Sequence, residues 1–570
     1  MVTNSKSPTV IDLILLSLFI IFITAQPFFL HHEIIMMETG IHLPGIQALF
    51  RGAIPYKDFL YLRGPLELYM PAFLMKLFGE NMILLPIFYY GGTILTLLLG
   101  ILLAFQLYRT RVVLYLMTLV FVARTFPRIS FYYWGGMRYA FGLFSLFCAF
   151  QYFKRQRLSW VFVAGIISCL GLLTTIETGV STIVSISLAL VLSFLLRIRD
   201  RRFLIKALRM YSLGIFLTLA PYVVYLWATD SLAPYLQTNY IVLTKMMKTF
   251  VDAPGNHPIN FFGFLAALSP GSPYFKVMTP VFCYIVFGAY IFYREKKNAL
   301  NWETAGLITI AIYSIILYVA AFRKIEGHHF EMALQPEKIL FFFLLEEVYL
   351  LLVKIRRQEV ERGKVFALRG WQFLMTRKKI YLINFLILAF IGSSVGYAVA
   401  RYNNRFVMAR LLGNKLGYGD DKDLSFLAGI EKREVNIQRA KGMVVPAWQA
   451  QEMEEIVAFL EKNTRPDEVV FTYPELGNYN FYADRPFVGR FPIATFSWMD
   501  ERWHDELIAD FKKAAPRYVI MTNLGHRTFP KEWYFRNTNN IAKFNTMTKL
   551  ILDNYRPIKK FESVSLYERR

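Results

Sequence analysis

The segment RKIEGHHFEMALQP puts Arg323, Glu326, His328, His329 and Glu331 into one short stretch between two apolar blocks. Cationic and imidazole groups at this density suit contact with a phosphate or pyrophosphate, whose oxygens accept charge-assisted hydrogen bonds. Metal binding is the poorer reading, because adjacent histidines such as His328 and His329 chelate less well than a pair one helical turn apart. Three further groups stand out. HHEIIMMETG, directly after the first apolar block, holds His31, His32, Glu33 and Glu38. RGAIPYKDF and YLRGPLELY hold Arg51, Tyr56, Asp58, Arg63 and Glu67 among turns set by Pro55 and by Gly64-Pro65. YYWGGMRY places Arg138 at the head of another block, and TTIETGV places Glu177 between two more.

Each group also has a plainer reading. Glu33 and Glu38, five apart, would not share a face of one helix and can be solvated carboxylates of an interfacial cap. Asp58 can tie its own loop to the backbone. Arg138 can snorkel to lipid headgroups as readily as it pairs with a phosphate. Glu177 reads best as a structural partner of a nearby base or a loop residue. Ionisable groups at the edge of hydrocarbon are nevertheless costly and tend to mark function.

The elements that must position these groups are long and apolar. Of 570 residues, 55% are hydrophobic and 18% are charged, too little charge for a soluble chain of this length. The apolar residues fall in blocks of about 17–25, the length a helix needs to cross the hydrocarbon core. Eleven spans are expected, at 10–30, 83–107, 112–126, 138–153, 159–176, 180–196, 211–228, 277–293, 303–322, 338–354 and 380–400. The net charge of +23 does not signal nucleic acid, because the basic residues cluster at block ends. The loop 354–379 has nine Lys/Arg against two Asp/Glu, whereas 31–80 has four against five. That alternation holds from loop to loop and sets the N-terminus in the cytoplasm and the C-terminus outside. The block from Val10 has no small-residue cleavage site and reads as the first helix rather than a removed signal. Cys148, Cys169 and Cys283 lie inside apolar blocks without metal-ligand spacing, so neither a disulfide framework nor structural zinc is expected.

The first outside loop, 31–80, reads as amphipathic pieces punctuated by Gly and Pro, and a second long outside segment spans about 229–276. After residue 400 the composition changes. An amphipathic helix at 447–462, a strand at 468–472 and another at 517–521 suggest a small α/β unit. The expected fold is an α-helical polytopic membrane protein, 1–400, carrying a soluble C-terminal α/β domain, 401–570.

Taken in order, these segments resemble the GT-C superfamily of membrane glycosyltransferases, which includes dolichyl-phosphate-mannose protein mannosyltransferases and aminoarabinose transferases. ETGIHLPGIQALFRGAIPYKDFLYLRGPLELYMPAFLMKLFG is similar to a pattern of D-E-G, a helix, G-x-x-P-Y-x-D-F, G-P and a terminal F-G. The family's leading Asp falls on Glu38, which keeps the carboxylate but reaches one methylene farther, and its following Glu falls on Thr39. RKIEGHH is similar to an R-x-x-D-G-H motif, placing Arg323, Glu326 and His328 on it. Tyr479 to Pro486 is similar to a Y-x-x-x-D-R-P segment of the soluble domain.

The resemblance implies a GT-C-like bundle that moves a sugar from a polyprenyl-phosphate-linked donor to an extracytoplasmic glycan, lipid or protein, with inversion. It implies Glu38 as general base, with Asp58 positioning its loop or touching the acceptor. It implies Arg138, Arg323 and His328 as donors to the lipid phosphate, supported by Glu33, Tyr56, Arg63, Glu326 and His329. No cofactor is required, a divalent metal being the lesser alternative, and the absence of a Gly-rich phosphate loop argues against a nucleotide-sugar site. A bacterial inner membrane is the expected location. The chief alternative is a transporter or lipid flippase, which predicts broken, charged segments near the bilayer midplane in two symmetric halves. A non-enzymatic receptor or assembly factor is the third, and it predicts that the outer carboxylates are dispensable.

Overall fold

The computed structural model describes residues 7–24, 36–125, 132–246, 265–266, 275–321, 333–365, 378–382, 384–385, 388–389, 392–393, 431–497, 499–524 and 537–570. Ten of the expected spans coincide with helices: α1 (Val10–Thr24), α4 (Leu84–Leu107), α5 (Arg111–Thr125), α6 (Tyr132–Arg155), α7 (Leu158–Thr174), α8 (Ile176–Leu195), α9 (Arg201–Ala228), α11 (Phe275–Lys296), α12 (Trp302–Ala321) and α13 (Gln335–Val365). Four of them, α4, α8, α9 and α12, are long and apolar enough to cross a membrane on length and composition. The eleventh span, 380–400, lies largely outside the described residues. Of the second outside segment, α10 (Leu232–Ile241) is described.

Basic residues of separate loops meet at one end of the bundle. Arg109 pairs with Glu303 at 3.4 Å and Glu347 at 3.3 Å, and Lys154 donates to Gln106. At the other end lie α2 (Met36–Phe50) and α3 (Pro65–Phe78). The first of these departs from expectation. Every residue from Thr39 to Ala48 is buried, so α2 is covered on all sides rather than amphipathic. It is enclosed because the C-terminal domain sits on it.

That domain has a four-stranded sheet in the order β3-β4-β6-β5, formed by β3 (Phe471–Tyr473), β4 (Tyr518–Thr522), β5 (Tyr555–Lys560) and β6 (Val564–Arg569). The β3–β4 pair is parallel and the others antiparallel. A smaller antiparallel pair, β1 (Lys432–Glu434) and β2 (Val444–Pro446), leads into α14 (Ala447–Asn463), followed by α15 (Asn478–Ala483), α16 (Glu501–Ala514) and α17 (Thr538–Asn554). One hydrophobic core runs through both parts. It joins Leu43 and Ile46 of α2, Leu68 of α3 and Leu85 of α4 to Leu476, Tyr479, Ile520 and Leu566 of the domain. Each such aliphatic side chain contributes about 1.5–3 kcal/mol on burial. The domain is therefore part of the fold that holds α2 and α3, not an appendage.

Candidate functional site

Two glycines fix the backbone around a polar cluster at the α2–α3 end of the bundle. A Cβ on Gly64 would lie 2.2 Å from the Thr174 carbonyl oxygen, so only glycine lets the Arg63–Glu67 segment press against the end of α7. The Gly64 N–H donates to that same carbonyl at 3.1 Å. Pro65 then opens α3, as suits a first helical position, and Glu67 falls in its first turn. In α6 the chain breaks at Gly136, with φ 60° and ψ −170°, a region open essentially to glycine alone. At the break the Gly136–Met137 backbone presses against Gly92 of α4, and the Arg138 guanidinium lies 5.1 Å from the centroid of the neighbouring Tyr139 ring.

Between these elements lies a buried chain of polar groups. His42 of α2, Tyr61, Glu67 of α3 and Tyr89 of α4 are each 1% exposed. His42 Nδ1 is 2.7 Å from the Tyr61 hydroxyl, and His42 Nε2 is 2.9 Å from the Tyr89 hydroxyl. The Tyr89 hydroxyl donates to Glu67 Oε2 at 3.4 Å, and Arg63 Nε lies 3.7 Å from the same oxygen. Burial, and after it the positive charges of Arg63 and Arg138, hold the His42 imidazole well below its usual pKa. It is therefore neutral, with one ring nitrogen donating and one accepting. Glu177 lies in the first turn of α8.

The other expected site residues fall as follows. Glu38 lies in the first turn of α2, one helical turn before His42, and its side chain is outside the described residues. Glu33, Arg323, Glu326, His328 and His329 are outside them as well. Asp58 is exposed and closes its own loop, accepting from the Ile54 N–H at 2.7 Å while its N–H donates to the Ile54 carbonyl at 2.8 Å. Tyr56, buried at φ 69°, donates from its hydroxyl to the Arg63 carbonyl at 2.9 Å and packs edge-on against Tyr235 of α10. Tyr56 thus props the segment that carries Arg63. His42, Tyr61 and Tyr89 escape the sequence reading. The signal that could have flagged His42 is its spacing of four from Glu38, which puts both on one helix face.

The D-R-P segment has a structural task. Asp484, in a left-handed cap at the end of α15, accepts from Gln47 at 2.6 Å and pairs with Arg51 at 2.8 Å and Arg439 at 3.1 Å. Arg485 is buried and donates to the carbonyls of Ala483 and Thr464 and to the Thr464 hydroxyl. Among the described residues no three His, Cys, Asp or Glu side chains converge to hold a metal ion.

The fold and this cluster define a polytopic membrane protein with a charged, partly buried site at one bundle end, roofed by a small α/β domain. No family model and no curated relative matches the chain. Among solved structures it is similar over its whole length to ArnT from Cupriavidus metallidurans. The apo form aligns with a TM-score of 0.51 and 10% identity, covering 98% of this chain and 97% of that one. The form bound to undecaprenyl phosphate aligns with a TM-score of 0.50, the same identity and the same coverage. The chain therefore shares the fold of those structures, helical bundle and C-terminal domain together.

Proposed function

We propose that this protein is an inverting membrane glycosyltransferase that moves a sugar from a polyprenyl-phosphate donor to an extracytoplasmic acceptor, a cell-envelope glycan, lipid or protein. The observation that carries the proposal is the full-length likeness to a structure holding undecaprenyl phosphate, joined to an arginine-bearing cluster beside α2. An acceptor hydroxyl needs a general base to attack the anomeric carbon, and Glu38, at the start of α2, takes that role. The leaving lipid phosphate needs fixed cationic donors. Arg138, Arg323 and His328 supply them, with Arg63, His329, Glu326, Glu33 and Tyr56 in support. Asp58 shapes the outer loop on the acceptor side. A single displacement inverts the sugar, so no covalent enzyme intermediate and no metal are invoked. Residues 1–400 form the catalytic bundle and 401–570 the soluble domain. The setting is a bacterial inner membrane, with the N-terminus in the cytoplasm and the domain outside.

The test is transfer of label from a radiolabelled polyprenyl-phosphate sugar to acceptors in a cell-envelope extract by the purified protein. Label appearing in an acceptor fraction supports the proposal. Movement of the intact lipid across a vesicle bilayer without cleavage would support a flippase instead and sink it.

A further inference from the structure

Resting on the glycosyltransferase reading, we infer that His42 is a positioning residue for the donor phosphate: through Tyr89 it aims the Glu67 carboxylate, and Glu67 holds Arg63 in place. With the Tyr89–Glu67 hydrogen bond made, the protons take one arrangement. The Glu67 carboxylate only accepts, so the single Tyr89 proton goes to it. The Tyr89 oxygen must then accept, so His42 carries its proton on Nε2, 2.9 Å away. Nδ1 is left as an acceptor, and the Tyr61 hydroxyl donates to it across 2.7 Å. The chain Tyr61, His42, Tyr89, Glu67 thus runs in one direction and ends on the carboxylate paired with Arg63.

Packing alone does not account for it. Four polar groups at 1% exposure are costly to bury unless each is satisfied, and apolar side chains of similar shape would fill the space at less cost. A chain of hydrogen bonds that ends on an ion pair instead restricts how its members can be arranged. The member that leaves the dry interior is Arg63, whose side chain keeps 14% exposure against 2% for Glu67. The network's output is therefore the direction of the Arg63 guanidinium. Tyr56 supports it from the backbone side by donating to the Arg63 carbonyl.

A double-mutant cycle read on polyprenyl phosphate binding in lipid nanodiscs, and on donor KM where turnover is present, tests this. Tyr89→Phe keeps the ring and deletes the link. It is expected to weaken polyprenyl phosphate binding and raise donor KM about tenfold, leaving the acceptor KM unchanged, and to have no further effect in an Arg63→Ala background. His42→Gln, which keeps one donor and one acceptor, is expected to stay within about threefold of wild type. Equal losses from Tyr89→Phe with and without Arg63, or a rise in both KM values together, would overturn the inference. So would unchanged binding in Tyr89→Phe, or wild-type protein that binds no polyprenyl phosphate. Wild-type protein that binds the lipid but transfers no sugar refutes the functional reading alone, and the cycle on binding still decides this one.

Discussion

Asp484 of the C-terminal domain lies 2.8 Å from Arg51 at the end of α2, and Arg439 and Gln47 close on the same carboxylate. Groups from three distant parts of the chain meet there and clamp the domain onto α2. The Asp484 side chain is 47% exposed and Arg51 36%, so solvent screens the pairs. Asp484→Asn is expected to cost about 1 kcal/mol, read as a lower thermal midpoint and faster proteolysis at the domain junction.

The same clamp has a pH signature. Partial burial pushes Asp484 up, but Gln47, Arg439 and Arg51 outweigh it and set the carboxyl below its ordinary value. A depressed carboxyl contributes stability that is complete above the unfolded pKa, near 3.9, and lost as the pH falls through the lower folded value. Wild-type protein should lose that increment of stability below about pH 4, while the shared hydrophobic core keeps the domain docked. Asp484→Asn should be weaker at neutral pH and converge with wild type in acid.

His42 acts in the same pH direction for a different reason, because the folded state keeps it neutral while the unfolded chain binds a proton near pH 6.5. Its contribution is complete above that pH and erodes below it, by up to about 1.4 kcal/mol per pH unit. His42→Gln should flatten the dependence of the thermal midpoint on pH between about 6.5 and 5. An unchanged slope would show that His42 titrates normally.

Gly64→Ala should be among the most damaging single-atom additions in the chain. The new Cβ would meet the Thr174 backbone at 2.2 Å, and neither backbone can yield without moving Arg63 and Glu67. Strain of this kind costs about 1–3 kcal/mol. Activity should fall more than tenfold even where the protein still elutes as a folded species.

Much of the fold was legible because lipid imposes its own length rule. Ten expected spans meet ten helices, and α14 and the strands at 471–473 and 518–522 lie within a few residues of their expected places. Charge clustering was legible for the same reason, since Arg109 and Lys154 do gather at one bundle end. The candidate site was harder to read. His42, Tyr61, Glu67 and Tyr89 come from separate elements, and only packing brings them together. Tyr89 looks like core inside an apolar block, and α2 carries no helical stripe because both its faces are covered. Asp58, by contrast, performs the loop closure that its plainer reading describes.

Carboxylate-assisted transfer from a lipid phosphate requires the Glu38 carboxylate, and Glu38→Gln removes it. Purified wild-type and variant proteins are given a radiolabelled polyprenyl-phosphate sugar with envelope acceptor, and release of polyprenyl phosphate is followed. Wild type should release it in step with acceptor labelling, and the variant should be slower by about 10²–10⁴-fold while still binding the lipid. Release at the wild-type rate by Glu38→Gln would rule out Glu38 as the base, and none from either protein would rule out transfer from a polyprenyl-phosphate sugar.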